Sequence, residues 1–175
     1  MLAVKETVPG LELVKIDKSN IKQLKLLNAS ILPIHYTNKF YQSVLQNSDC
    51  CRLALWNGKY VGMVCCKVDS SILYIMTLGC LVLYRRKKIG TALLNFVLER
   101  TEGEKCGAVQ LHVHSSNTDA VLFYEKFGFS VKQTVENYYR YLNPTSAILL
   151  ERVMAPSEQP AVTFSNPAPV TASGE

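Results

Sequence analysis

No stretch of this sequence is apolar for long enough to cross a bilayer. The longest run, Ile72 to Tyr84, falls well short of the roughly 20 residues a spanning helix needs. The chain does not open on a charged segment followed by an apolar one and a small-residue cleavage site, so export is not expected. There is no C-x-x-C. The six cysteines stand as Cys50-Cys51, Cys65-Cys66, Cys80 and Cys106, and adjacent pairs suit neither an ordinary disulfide nor a zinc knuckle. Reduced thiols in a cytosolic or nuclear protein are the simplest expectation. Internal repeats are missing too. After Met154 there is no Lys or Arg, and 155–175 holds four of the seven prolines. That composition predicts a disordered tail behind a single domain at 1–154.

What remains is the make-up of an ordinary globule, 48% hydrophobic and 19% charged over 175 residues. The net charge is +5, and the tail contributes only Glu158 and Glu175, so the domain itself is more positive still. Such a balance suits an anionic cofactor or nucleic acid. The cations do not line a helix and no nucleic-acid motif appears, which favours the cofactor.

Four cations are concentrated at Arg85, Arg86, Lys87 and Lys88. They follow the apolar run, which reads as a strand covered on both faces. They precede Ile89-Gly90-Thr91, which opens a helical pattern of Leu93, Leu94, Val97 and Leu98. A loop ending at a helix N-terminus offers unpaired amides and a partial positive charge, and with four cations beside it a diphosphate is the natural ligand. A solvated basic turn is the plainer alternative.

The rest of the chain reads as alternating strands and helices. Leu11–Ile16 predicts a strand, and Asn20 a cap for a helix with Ile21, Leu24, Leu27 and Ile31 on one face. Pro33 breaks that helix, and a short second one covers Asn38–Gln46. Strands at Cys51–Trp56 and Tyr60–Val68 flank Asn57-Gly58, a strong hairpin signal. Ala108–His114 is the next strand. Asn117 can cap a helix with Ala120, Phe123, Tyr124 and Phe127 inward. A strand follows Phe129, and Tyr138–Tyr141 and Ala147–Arg152 read as the last two.

The string Tyr-Arg-Arg-x-x-Ile-Gly-Thr at 84–91 resembles the acetyl-coenzyme A pyrophosphate loop of the GNAT superfamily of N-acyltransferases. LYIMTLGCL, LHVHSSN and FYEKFGF together resemble one branch closely, the catalytic subunits of NatE-type N-terminal acetyltransferases. The resemblance runs from about Asn20 to about Leu150. It implies an α/β fold, the GNAT acyl-CoA N-acyltransferase fold, in which a mixed central sheet flanked by helices has two strands splayed to admit acetyl-CoA. By position it implies Tyr74 and His112 as the catalytic pair, and Leu78, Gly79, Cys80, Arg85 to Lys88 (thus Arg86 and Lys87 also), Ile89, Gly90, Thr91, Asn117 and Tyr124 as cofactor contacts. The same matching gives Leu32, Pro33, Ile34, Tyr36, Met76, Tyr138 and Tyr139 as substrate contacts. The implied reaction is acetyl transfer to protein N-termini that keep Met before a hydrophobic residue, with weaker lysine acetylation. Association with the catalytic and ribosome-anchoring subunits of the NatA complex, and a connection with sister-chromatid cohesion, are implied as well; a membrane or nucleic-acid partner is not.

Three departures stand out. Lys88 occupies the place of the loop's first glycine, which keeps alive a rival reading as a catalytically impaired binding subunit. Leu32 stands where the family usually has Phe, and His114 where it has Gln, a place from which His114 could tune local charge. On residue type alone Tyr74 is a strand aromatic packed in the core, Asn117 a cap, Tyr124 part of a helix face, and Tyr138 and Tyr139 hairpin aromatics. His112-x-His114 with His35 raises zinc, but no carboxylate or cysteine completes a ligand pattern, so no metal is expected. Neither central strand carries an Asp or Glu. An α-amine has a pKa near 8 against about 10.4 for lysine, so a site without a positioned carboxylate favours the α-amine.

Overall fold

Alternation and helical periodicity place most elements where the residues demand them. A computed structural model describes residues 8–103 and 105–154; the proposed tail at 155–175 lies outside them. In chain order these are β1 (Leu11–Lys15), α1 (Ile21–Ile31), α2 (Asn38–Gln46), β2 (Arg52–Trp56), β3 (Lys59–Asp69), β4 (Ile72–Cys80), α3 (Ile89–Gly103), β5 (Ala108–His114), α4 (Thr118–Glu125), β6 (Ser130–Val135) and β7 (Ala147–Val153). Asn57 and Gly58 both take positive φ, 48° and 78°, and form the tight turn that joins β2 to β3. None of the six cysteines is in a disulfide.

The strands form one seven-stranded sheet in the order β1-β2-β3-β4-β5-β7-β6. Every neighbouring pair is antiparallel except β4 and β5, which are parallel. That parallel ladder is short: Ile72 pairs Ala108, Leu73 pairs Val109, Tyr74 pairs Gln110, and there it stops. Beyond Tyr74 the two strands diverge while each keeps its other neighbour, β4 as far as Cys80 and β5 as far as His114.

Each face of the sheet carries its own apolar cluster. One lies under α3 and α4 and includes Leu73, Ile75, Leu93, Leu94, Val97, Leu111 and Tyr124. The other lies under α1 and α2 and includes Leu24, Leu27, Val44, Met63 and Cys65, with Met76 packed against it. Gly79 permits the close approach of α1 to the sheet, because a Cβ there would meet Ile31 at 2.7 Å.

Four expectations from the sequence need correction. The central strand ends at Cys80, and Val82–Tyr84 is a 3₁₀ turn that leaves Leu83 85% exposed. That strand is also covered on one face only over most of its length, with Leu73, Ile75 and Thr77 buried and the intervening residues half-open. Tyr138–Tyr141 is loop, not strand, because its aromatic rings turn toward β5 instead of alternating across a sheet. Asn20 stands at the N-cap of α1 without capping it: its Nδ2 donates back to the Lys15 carbonyl and its Oδ1 accepts from the Asp17 amide.

Candidate active site

β4 contains a feature that an unbroken apolar string conceals. Cys65 pairs with Thr77 and Cys66 with Ile75, so Met76 is an extra residue, a β-bulge. The bulge flips the alternation. Before it Leu73 and Ile75 face the α3–α4 cluster; after it Leu78 and Cys80 do. Tyr74 and Met76 thereby stay on the α1–α2 side, while Leu78 and Cys80 turn their side chains to the other face. The strand addresses two ligands from its two sides.

On the α1–α2 side, Tyr74 Oη lies 2.8 Å from His112 Nδ1. His112 is brought there by β5, whose Val109, Leu111 and Val113 point into the core and whose Gln110, His112 and His114 therefore point out. Tyr138 stacks on the His112 ring, centroids 4.3 Å apart and planes inclined by 17°, and its hydroxyl lies 3.4 Å from that of Tyr74. Tyr139 packs edge-on to Tyr138, and Tyr36 stacks on Phe40. An open cleft of about 380 Å³, lined by Lys67, Asp69, Ser70, Ile72, Tyr74 and Gln110, adjoins the pair.

Three phenols of this cluster, Tyr36, Tyr74 and Tyr139, resist ionisation. Burial pushes Tyr36 and Tyr139 up to about 12, each helped by a neighbouring tyrosine, and raises Tyr74 further. Burial moves His112 the other way, below 6.5, because its charged form is the cation. At neutral pH His112 is the one member of this group that can accept a proton.

Leu32 ends α1 and packs with Met76 against the α1–α2 cluster; Pro33 is exposed and Ile34 half-buried beside it. Tyr36, beyond them in the chain, is near enough to Tyr74, Tyr138 and Tyr139 to act on them electrostatically. His35 is exposed, and no group of three or more His, Cys, Asp or Glu side chains that could hold a metal ion stands together among the described residues. His114 is tied at both ring nitrogens, Nε2 to the Pro144 carbonyl and Nδ1 to the Ser116 hydroxyl.

On the other face, the diverging strands lead to the basic loop. Arg86 and Lys88 both take positive φ, 63° and 60°, and the first bond into α3 runs from the Ala92 amide to the Lys88 carbonyl. The amides of Ile89, Gly90 and Thr91 therefore have no acceptor within the helix. Gly90 has no positive φ, and a Cβ there would meet only Phe123 at 3.5 Å, an ordinary contact, so this position does not require glycine. Lys87 is held over the Trp56 ring. Asn117 caps α4 through Oδ1, accepting from the Ala120 amide at 3.2 Å, and keeps its Nδ2 for another partner. Tyr124 is buried in the core, with burial raising its phenol. Together these residues suit an extended ligand that ends in a diphosphate: a gap in the sheet to take its chain, then amides and cations for its charge.

The left-handed turn at Lys88 carries a measurable cost. For a residue with a Cβ it is roughly 1–2 kcal/mol. The backbone amides are unaffected by the side chain, and the lysine charge returns part of the loss, up to about 1 kcal/mol in the exposed setting. Lys88→Gly is therefore expected to shift the dissociation constant for acetyl-CoA by less than about tenfold. Titration calorimetry at two salt concentrations separates the screened charge from the unscreened strain. Binding that appears only after the substitution would identify a binding subunit in place of an enzyme.

Comparison with known proteins places this geometry. The model described as Acetyltransferase (GNAT) family matches residues 21–129. N-alpha-acetyltransferase 50 of Danio rerio is 45% identical over 157 residues, which are 86% of this chain and 94% of that protein. A Drosophila melanogaster protein named probable N-acetyltransferase san is 40% identical over 153 residues, covering 85% of this chain and 83% of its own. The structure of Arabidopsis thaliana Naa50 in complex with the bisubstrate analogue CoA-Ac-MVNAL matches with a TM-score of 0.80 at 34% identity, over 83% of this chain and 99% of that one.

Proposed function

Since the chain belongs to the GNAT family of acetyltransferases, we propose that it acetylates the α-amine of proteins beginning with Met followed by a hydrophobic residue. It is an acetyl-CoA-dependent N-terminal acetyltransferase, as its identity with the Danio rerio protein supports. The observation that carries the finer reading is the Tyr74–His112 pair, set where β4 and β5 part, between an anion loop on one face and an apolar, tyrosine-rimmed approach on the other.

When bound, acetyl-CoA would supply the thioester, whose C–S bond breaks as the amide forms and releases coenzyme A as a thiolate that takes up a proton. The protein's part is to hold an amine against it and take its proton. Neutral His112 accepts that proton, through water admitted from the adjoining cleft, and Tyr74 orients the water or passes the proton to Nδ1. Tyr138 stacked on the ring keeps His112 in place while the proton moves. No carboxylate is aimed at the site from β4 or β5. An α-amine, some 2.5 pKa units more acidic than lysine, needs about 3.5 kcal/mol less help to become neutral, so lysine acetylation is proposed as a slower side activity.

Mass-spectrometric assay of a Met-Leu peptide with one internal lysine tests the reading: acetyl should accumulate on the α-amine first. A faster lysine signal would overturn it. The pH profile of kcat/KM gives a second check. Two groups must be neutral, the substrate amine with a pKa near 8 and His112 with a pKa below 6.5. The rate should therefore fall with slope one below about pH 8 and with slope two once His112 protonates, and His112→Ala should keep only the first limb. A setting in the cytosol with access to the nucleus, and docking to the NatA catalytic and ribosome-anchoring subunits, belong to the same proposal; co-purification from cell extract tests the docking.

A further inference from the structure

His114 is half-buried two residues beyond His112, on the same face of β5. Its Nε2 lies 2.7 Å from the carbonyl oxygen of Pro144, which can only accept, so Nε2 carries the proton. Nδ1 lies in hydrogen-bond contact with the Ser116 hydroxyl, also at 2.7 Å. The ring packs against Tyr139, centroids 5.5 Å apart. Pro144 belongs to the segment 136–146 between β6 and β7, the segment that presents Tyr138 and Tyr139 over His112.

Other bonds fix the base of that segment. Ser115 meets Ser146 through both amide-to-carbonyl and hydroxyl contacts, and the Tyr139 amide donates to the Thr145 carbonyl. Those bonds extend the β5–β7 ladder and close the loop on itself. His114 is different: its side chain reaches from the strand to the Pro144 carbonyl inside the loop and also packs against one of the two tyrosines. We propose that His114 is a positioning residue, a strap that holds the 136–146 loop so that Tyr138 and Tyr139 close over the first residues of the peptide. The proposal deepens the peptide-acetyltransferase reading and rests on it for its kinetic consequence.

The chemistry dictates the test. A Gln amide can place a donor where Nε2 stands and keep the bond to Pro144. An Asn amide is too short for that and can only reach Ser116. Kinetics with a Met-Leu peptide and amide hydrogen exchange over 136–146 should be measured on the full chain, wild type, His114→Gln and His114→Asn. His114→Asn is expected to raise the peptide KM by about tenfold, the scale of one to two neutral hydrogen bonds, with kcat and the acetyl-CoA KM within about threefold. Exchange of the loop amides should quicken by a similar factor, and His114→Gln should restore both. A general packing loss would damage Gln and Asn alike and move kcat too, and that pattern overturns the proposal. So does unchanged loop exchange in His114→Asn. If the wild type fails to acetylate the peptide, the functional reading falls, and the exchange difference between Gln and Asn still decides whether His114 straps the loop.

Discussion

His112→Ala and Tyr74→Phe are each expected to lower turnover on a Met-Leu peptide by about 10²-fold or more, the scale of lost acid–base assistance. Acetyl-CoA affinity should stay close to that of the native protein, because both side chains lie on the face opposite Leu78, Cys80 and the α3–α4 cluster. The expectation rests on a difference in sign. Burial lifts the phenols of Tyr36, Tyr74 and Tyr139 away from ionisation and makes His112 harder to protonate, so the neutral imidazole is the base beside them. Tyr74→Phe removes only the oxygen 2.8 Å from Nδ1, and the Tyr138 ring still holds the imidazole in place. Loss of turnover with an unchanged melting temperature separates chemistry from folding. Normal turnover in both variants sinks the assignment.

A second large effect is expected from the substrate side. Replacing the second residue of the peptide, Leu to Asp, should cost several kcal/mol, or 10²-fold and more in kcat/KM. Leu32 and Met76 pack into an apolar cluster beside aromatic rings, a wall that offers a carboxylate no compensation for lost water. Lys67 lines the adjoining cleft, but its ammonium sits over the Tyr74 ring, 5.7 Å from its centroid. Competition between the two peptides in one reaction reads the ratio directly, and equal rates would refute the specificity.

Much of this could be read before any coordinates. Periodicity and punctuation place α1, α2 and β5 to the residue, because Pro33, Asn38 and the alternation in Ala108–His114 act locally. Tyr74 and His112 were legible only through their neighbours in LYIMTLGC and LHVH, since a strand tyrosine has no sign of its own. Three features were not legible. An apolar run such as Ile72–Tyr84 looks the same with or without an extra residue, so the bulge at Met76 leaves no trace. The left-handed turn at Arg86 has no sign in the sequence, because positive φ is signalled by glycine or asparagine and an arginine stands there, two residues before Lys88. Tyr138–Tyr141 has the composition of a strand, and only tertiary partners, His112 and His114, draw it into a loop.

The brevity of the β4–β5 ladder bears on mechanics as well as chemistry. Through it the sheet is two ribbons, β1 to β4 and β5 to β6, stitched together by three residue pairs and by what α3 and α4 add from above. A ligand lying along the seam contributes cross-links that the protein's own backbone leaves out. Its concentration then governs cohesion of the whole domain: mass action adds about 2.7 kcal/mol at a hundredfold excess over the dissociation constant. The acyl donor is in this sense a removable strand, and the melting temperature of the enzyme is a gauge of how much of it is present.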